Sequence, residues 1–293
     1  NGYRVNYERF CIILNKHIFK DEKRQLLRKI AHAPERFIGL FRPTKPGTKL
    51  LQYILQSHEI RMGDALEEII QQILISLKFD ILDKHVKNEK GERLSLDQYF
   101  TDRQAYYFIE QKVRDDHDSS KKRGQISNFQ TKVEVLHKKH GSKLIGIMYF
   151  IDADLSKNKK YYEGELKKLE KSYGVELHIF YGKELFNYLK NPNIWDDILL
   201  WLRQWKDSLP ELPEINLDTK PKESFDEIKD LEPKTWIKIL QNDKIWDEGI
   251  IQAIFREGTT LQLLLDFFKS QNTTPYNQLA SILSQRLAKY YRK

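Results

Sequence analysis

The sequence predicts an α/β fold in which a mixed sheet is flanked by helices and carries helical N- and C-terminal additions. Three observations predict it. The stretch 64-DALEEIIQQILISLKF-79 sets Ala65, Leu66, Ile69, Ile70, Ile73, Leu74 and Leu77 on one helical face. The pieces 80-DILDKHV-86, 93-RLSLDQYF-100 and 105-AYYFIEQKV-113 read as short strands, with 87-KNEKGE-92 and 101-TDRQ-104 as turns. A helix near 123–140, the strand 143-KLIGIMYFI-151, a helix near 159–173 and the strand 175-VELHIFYG-182 then alternate. Strands joined by tight turns pair antiparallel and those joined through a helix pair parallel, so the sheet is mixed.

The flanking regions are helical. Apolar residues recur at helical spacing in 6-NYERFCIILNKHIF-19 and 21-DEKRQLLRKIAHAP-34, and Pro43, Pro46 and Gly47 break the run, leaving 42-RPTKPGTK-49 as a basic loop able to touch phosphate or to sit in solvent. Helices at 183-KELFNYLK-190 and 194-IWDDILLWLRQWKDSL-209 follow the last strand, with Trp195, Trp201 and Trp205 read as core residues. Pro210, Pro213, Pro221 and Pro233 mark an acidic segment, and helical periodicity returns over 234–293. The expected organisation is a helical subdomain over 1–59, a core over 60–209, a linker or arm over 210–233 and a helical subdomain over 234–293.

Composition narrows the function. The single Cys11 excludes an internal disulfide framework and a Cys-rich zinc site, which fits a reducing cytoplasm. No apolar run approaches the roughly 20 residues that span a bilayer, and no signal-peptide pattern is visible, so neither membrane insertion nor secretion is expected. Fifty Lys+Arg against 42 Asp+Glu give a net charge of +8, which favours polyanionic partners. Residues 1–60 hold 12 Lys/Arg and 5 Asp/Glu, whereas 207–236 hold 4 Lys and 9 Asp/Glu.

The chemistry concentrates in 105-AYYFIEQKVRDDHDSSKKRGQ-125. Strand alternation places Tyr106, Phe108, Glu110 and Lys112 on one face. With 101–104 as the hairpin loop, Phe100 pairs with Ala105 and Asp97 with Phe108, which sets Asp97 diagonal to Glu110 on that same face, a Cα offset of about 7–8 Å. An isolated Glu-x-Lys is ordinarily a surface ion pair of little consequence. Here its neighbours are aromatic and apolar, and a second carboxylate falls into register. Two carboxylates and a lysine suit metal-assisted phosphodiester hydrolysis. Asp97 and Glu110 would hold Mg²⁺ through hard oxygen ligands, and Lys112 would orient the attacking water.

The order of elements and these residues resemble the PD-(D/E)XK nuclease superfamily, and within it the type II restriction endonucleases, over roughly residues 60–190. Leu96 stands where a proline often precedes the Asp. The stretches 109-IEQKVRDDHDSSKKRGQ-125 and 181-YGKELFNYL-189 are similar to text found in such enzymes. The resemblance implies a restriction-endonuclease-like fold and a Mg²⁺-dependent, sequence-specific cut in double-stranded DNA, made by a homodimer on a palindromic site. It also implies a supporting acid on the preceding helix, Glu67, with Glu68 as the alternative. A structure-selective repair or recombination nuclease of the same fold and a non-catalytic DNA-binding module are the rivals.

The block after Lys112 has residue types that read base edges or clamp phosphates: Arg114, His117, Ser119, Ser120, Lys121, Lys122, Arg123 and Gln125. Asp115, Asp116 and Asp118 would orient these cations. The plainer alternative is a solvated loop that ends in a helix cap at Asp118 or Ser119. His137 and His140 lack partners for a metal site, Ser119 with His117 lacks a nucleophile elbow, and no phosphate-cradling Gly-rich loop is present.

Overall fold

The computed structural model describes residues 5–291. The chain divides into two compact units, one made of residues up to His17 with Met62–Leu209, the other of Ile18–Arg61 with the chain from Pro210 onward.

The first unit contains α1 (Tyr7–Ile18, up to His17), and α2 (Glu22–His32) belongs to the second. The next helix, α3 (Pro46–Ser76), contributes its first turns to the second unit and its last turns to the first, so the boundary expected at 59/60 falls inside a continuous helix. It begins within the expected loop 42–49, because a proline in the first turn of a helix loses no hydrogen bond there.

In the first unit, β1 (Asp80–Ile81), β4 (Gln98–Thr101), β5 (Tyr106–Lys112), β6 (Leu144–Phe150) and β7 (Glu176–Tyr181) form one sheet in the order β1-β4-β5-β6-β7. Between β1 and β4 the chain makes a separate ribbon of β2 (His85–Lys87) and β3 (Arg93–Ser95), so two of the expected strands are each split. The β1, β4 and β5 pairs are antiparallel, while β5, β6 and β7 are parallel. Their connections are α4 (Ser119–His140) and α5 (Lys159–Tyr173), with α6 (Lys183–Tyr188) and α7 (Asn193–Asp207) after the last strand. This is the mixed sheet that the connection lengths require.

The two faces of the sheet bury different helices. Phe108, Met148 and Phe150 join Phe129, Val133, Leu136, Tyr162 and Leu166 of α4 and α5 in one apolar cluster, with the Phe108 and Phe129 rings 5.0 Å apart. On the opposite face the Gln98 side chain donates to the Glu67 carbonyl of α3 at 2.8 Å. Against the glycine at 146 a β-carbon would come within 2.7 Å of Leu177 and Phe108 side-chain atoms, so the sheet centre admits no larger residue there.

The hairpin register differs from the expected one. Thr101 pairs with Tyr106 and Gln98 with Ile109, which moves Asp97 two places, from opposite Phe108 to opposite Glu110. The cause is the turn chemistry. Asp102 accepts from the backbone N–H groups of Gln104 and Ala105 at 2.9 and 2.8 Å, so the loop is 102–105 and Thr101 joins the strand. A shift of two keeps every side chain on its expected face.

The long connection helix also starts earlier than its apolar pattern suggests. Asp118 caps α4, accepting from the N–H groups of Ser120 and Lys121 at 3.0 and 2.8 Å. The polar block is therefore largely helical. Asp118→Ala is expected to lower stability, read as a lower urea midpoint at unchanged slope.

In the second unit the segment 210–233 is folded. A short turn at 217–219 precedes α8 (Pro221–Ile228), and Leu217, Ile228 and Leu231 lie in this unit's core. The remaining helices are α9 (Pro233–Gln241), α10 (Asp243–Asp247), α11 (Ile250–Ile254), α12 (Thr259–Gln271) and α13 (Thr274–Tyr290). Trp236, Trp246, Phe255 and Phe268 are its largest wholly buried side chains. Among the described residues no helix is long and apolar enough to cross a membrane.

Candidate active site

The C-terminal end of β5 carries Glu110 and Lys112 on the face covered by α4. Its parallel partner β6 places Met148 beside Glu110 and Phe150 beside Lys112, both of them buried. Asp97, immediately before β4, accepts a hydrogen bond from the Gln111 N–H at 2.7 Å and so is fixed against the strand that bears the other two. The Lys112 Nζ then stands 3.6 Å from Asp97 Oδ2 and 3.4 Å from Glu110 Oε1. Of the four residues expected to form the site, Asp97, Glu110 and Lys112 meet in this way.

Two residues absent from the sequence reading complete this arrangement. Lys132 of α4, buried with its side chain 5% exposed, holds Glu110 Oε2 at 2.5 Å. Asn128, one turn earlier, donates to Glu110 Oε1 at 3.4 Å. The available signal was a lysine inside the stripe Ile126, Phe129, Val133, Leu136, where a buried charge requires a partner.

Burial raises the pKa of Glu110 above the ordinary carboxylate value, and the Asp97 carboxylate raises it further against the pull of Lys112 and Lys132. For Lys112, burial works to lower the pKa, but Asp97 and Glu110 outweigh it and the net shift is upward. Lys112 is thus held as an ammonium. The site presents two close carboxylates, one of them destabilised as an anion, and a cation already stands between them.

Glu67 joins the group through charge. Its pKa is raised by burial and by Asp97, against a hydrogen bond from Lys84 whose Nζ lies 2.5 Å from Oε1. Its carboxyl lines a cleft of about 410 Å³ with His17, Asp64, Glu68 and Lys84. The alternative, Glu68, is engaged by His17 at 2.5 Å.

The expected DNA-contacting residues divide by exposure. Arg114, Ser119, Ser120, Lys121 and Arg123 are exposed at the end of β5 and on the first turns of α4. The Lys122 ammonium lies 4.6 Å from the Tyr161 ring centre. His117 is half-buried beside the Tyr162 hydroxyl at 3.4 Å, and the Oε1 of half-buried Gln125 has no hydrogen-bond partner. Of the acids, Asp118 is the cap and Asp115 is wholly buried, accepting from the Asn158 N–H and side-chain amide and from the Tyr181 hydroxyl at 2.7, 2.8 and 2.9 Å. Asp115 orients no cation; it ties the exit of β5 to the loop before α5 and to the end of β7. Asp116 is exposed.

Among the described residues no group of three or more His, Cys, Asp or Glu side chains is placed to hold a metal ion. Two carboxylates nonetheless suit Mg²⁺, which keeps several waters and takes substrate phosphate oxygens where Ca²⁺ or Zn²⁺ would need a fuller protein cage. The Lys112 ammonium between Asp97 and Glu110 marks where positive charge is favoured.

A mixed sheet that sets an acid across from a Glu-x-Lys strand, with helices on both faces, defines a PD-(D/E)XK nuclease core. Residues 79–206 match the family model of the type II restriction endonuclease HinfI. No curated protein matches the chain. Among solved structures, Can2 from Sulfobacillus thermosulfidooxidans in complex with cyclic tetra-adenylate is 13% identical, over 67% of this chain and 55% of its own, with a TM-score of 0.33. The chain thus spans about half the length of that protein.

Proposed function

We propose that the protein cuts double-stranded DNA at a specific short sequence in a Mg²⁺-dependent hydrolysis, as a homodimer. The observation that carries this reading is the convergence of Asp97, Glu110 and Lys112 at one end of the sheet, within a segment that matches a restriction-endonuclease family model.

Asp97 and Glu110 are the residues that would hold Mg²⁺. When bound, the ion supplies charge to the phosphoryl oxygen and makes a water more acidic. Lys112, kept protonated by its two acids, donates hydrogen bonds that orient the water and offset phosphate charge. Lys132 and Asn128 keep Glu110 turned toward Lys112 and Asp97. Glu67 adds negative charge beside Asp97. Arg114, Ser119, Ser120, Lys121 and Arg123, exposed next to this end of β5, suit contact with the duplex backbone and groove, with Lys122, His117 and Gln125 behind them. A palindromic sequence is cut on both strands most simply by a twofold pair of sites.

A plasmid digest tests the reading. With magnesium, discrete fragments are expected; EDTA stops cutting and added magnesium restores it, and Asp97→Ala gives no fragments. Cutting that persists in EDTA, or an unaltered Asp97→Ala digest, would overturn the metal assignment. A smear in place of discrete bands would overturn sequence specificity, and a monomeric sedimentation coefficient on cleavable DNA would overturn the dimer.

A further inference from the structure

The second unit carries an apolar point that its core does not use. Phe41 and Leu40 are 101% and 93% exposed, with Ile60 next among exposed large hydrophobics at 65%. They occupy the two central positions of a turn closed by the Arg42 N–H on the Gly39 carbonyl at 3.3 Å. Turn corners ordinarily take Gly, Pro, Asn or Asp, and two bulky apolar side chains there gain nothing for folding.

The turn is braced from within. The Arg42 guanidinium donates to the Ile38 and Glu35 carbonyls at 3.3 and 2.9 Å. Phe37, 2% exposed, anchors the base in the core and packs edge-on against Tyr53 at 5.3 Å. Gly39, at φ +135°, makes the bend that throws the next two residues outward. Arg36 and Lys45 are exposed on either side of the tip, and over 34–49 four Lys/Arg face the single acid Glu35.

We propose that Leu40 and Phe41 form a wedge that enters a base step of duplex DNA, with Arg36 and Lys45 on the neighbouring phosphates. Apolar side chains flanked by cations kink DNA in this way, trading unstacking for a wider contact. The charge of the segment selects a polyanion. A second copy of the chain is a poorer occupant, since even a wholly buried aromatic covers roughly 150–250 Å², against the ~800 Å² per partner of a stable protein interface. The wedge rests on the DNA-cutting reading, which brings a duplex to the protein.

The test is a plasmid relaxed by a metal-independent topoisomerase in EDTA with the full-length protein bound, so that no cutting intervenes. The wild type is expected to leave the plasmid with an altered linking number after deproteinisation, the signature of unwinding by an inserted wedge. The double variant Leu40→Ser/Phe41→Ser should leave it unaltered and bind on the order of ten-fold more weakly, with an unchanged slope of log affinity against log salt because no cation is lost. Arg36→Ala/Lys45→Ala should instead lower that slope by about two. Both sites are on the surface, so the melting temperature of each variant should equal that of the wild type. Equal unwinding by the serine variant overturns the wedge, as does capture of the tip by anionic vesicles without DNA binding, or loss of dimers in the serine variant with unwinding intact. A magnesium digest run in parallel separates the two readings: cutting without tip-dependent unwinding sinks the wedge alone, and neither cutting nor binding sinks both.

Discussion

Replacing Lys112 by alanine is expected to slow DNA cutting by roughly 10²–10⁴-fold, the range for a positioned group that handles protons and charge at the reacting centre. The reason lies in what surrounds the ammonium. It is drawn to Asp97 at 3.6 Å and Glu110 at 3.4 Å, and these two acids outweigh the burial that would otherwise discharge it. Removing it leaves two facing carboxylates with no shared cation from the protein. DNA affinity measured in EDTA, where no cutting is expected, should fall little, since Arg114, Lys121 and Arg123 remain exposed. Single-turnover kinetics and a filter-binding titration separate the two effects. Cutting at the parental rate would end the catalytic assignment, and an equal loss in binding and cutting would make Lys112 a DNA contact.

How far the sequence carried the reading depended on the range of the interactions involved. Glu110 and Lys112 were legible because alternation along one strand is local: residues two apart share a face whatever else the chain does. Asp97 was legible by face and misplaced by register, because the hairpin pairing hung on which residues Asp102 would hold in its turn. The apolar pattern alone put the start of α4 near 123, whereas the alternative of a cap at Asp118 was the one that located it, because that single side chain turns the polar residues after it into a first helical turn. Asp115 lies in the polar block and looked like surface charge. Its burial depends on Asn158 and Tyr181, 43 and 66 residues away, and no local pattern reports such a bond. The acidic segment 210–233 misled in the same way. Its prolines and charges are real, but Leu217, Ile228 and Leu231 are spaced to pack, and their partners lie far along the chain.

Lys132 is the clearest case of this limit, and its removal carries the second large effect. The Lys132–Glu110 pair is almost wholly buried, at 5% and 3% side-chain exposure, so neither charge is stable there alone. Lys132→Met keeps the volume and deletes the charge. Glu110, its pKa already raised by burial and by Asp97, would then lose the partner that holds Oε2 and with it the constraint that presents Oε1 toward Lys112. The expected result is a loss of about 3 kcal/mol in stability and a rise of roughly 10–100-fold in the magnesium concentration for half-maximal cutting, with the rate partly recovered at high magnesium. Lys132→Arg should retain more of both. A thermodynamic cycle separates packing from pairing: Glu110→Gln/Lys132→Met should be more stable than Lys132→Met alone, because the uncompensated acid is gone, although it does not cut. If the magnesium requirement of Lys132→Met equals that of the wild type, Lys132 is only a core residue that happens to be charged. If the double variant is as unstable as the sum of its parts, the pair does not act as a pair at all.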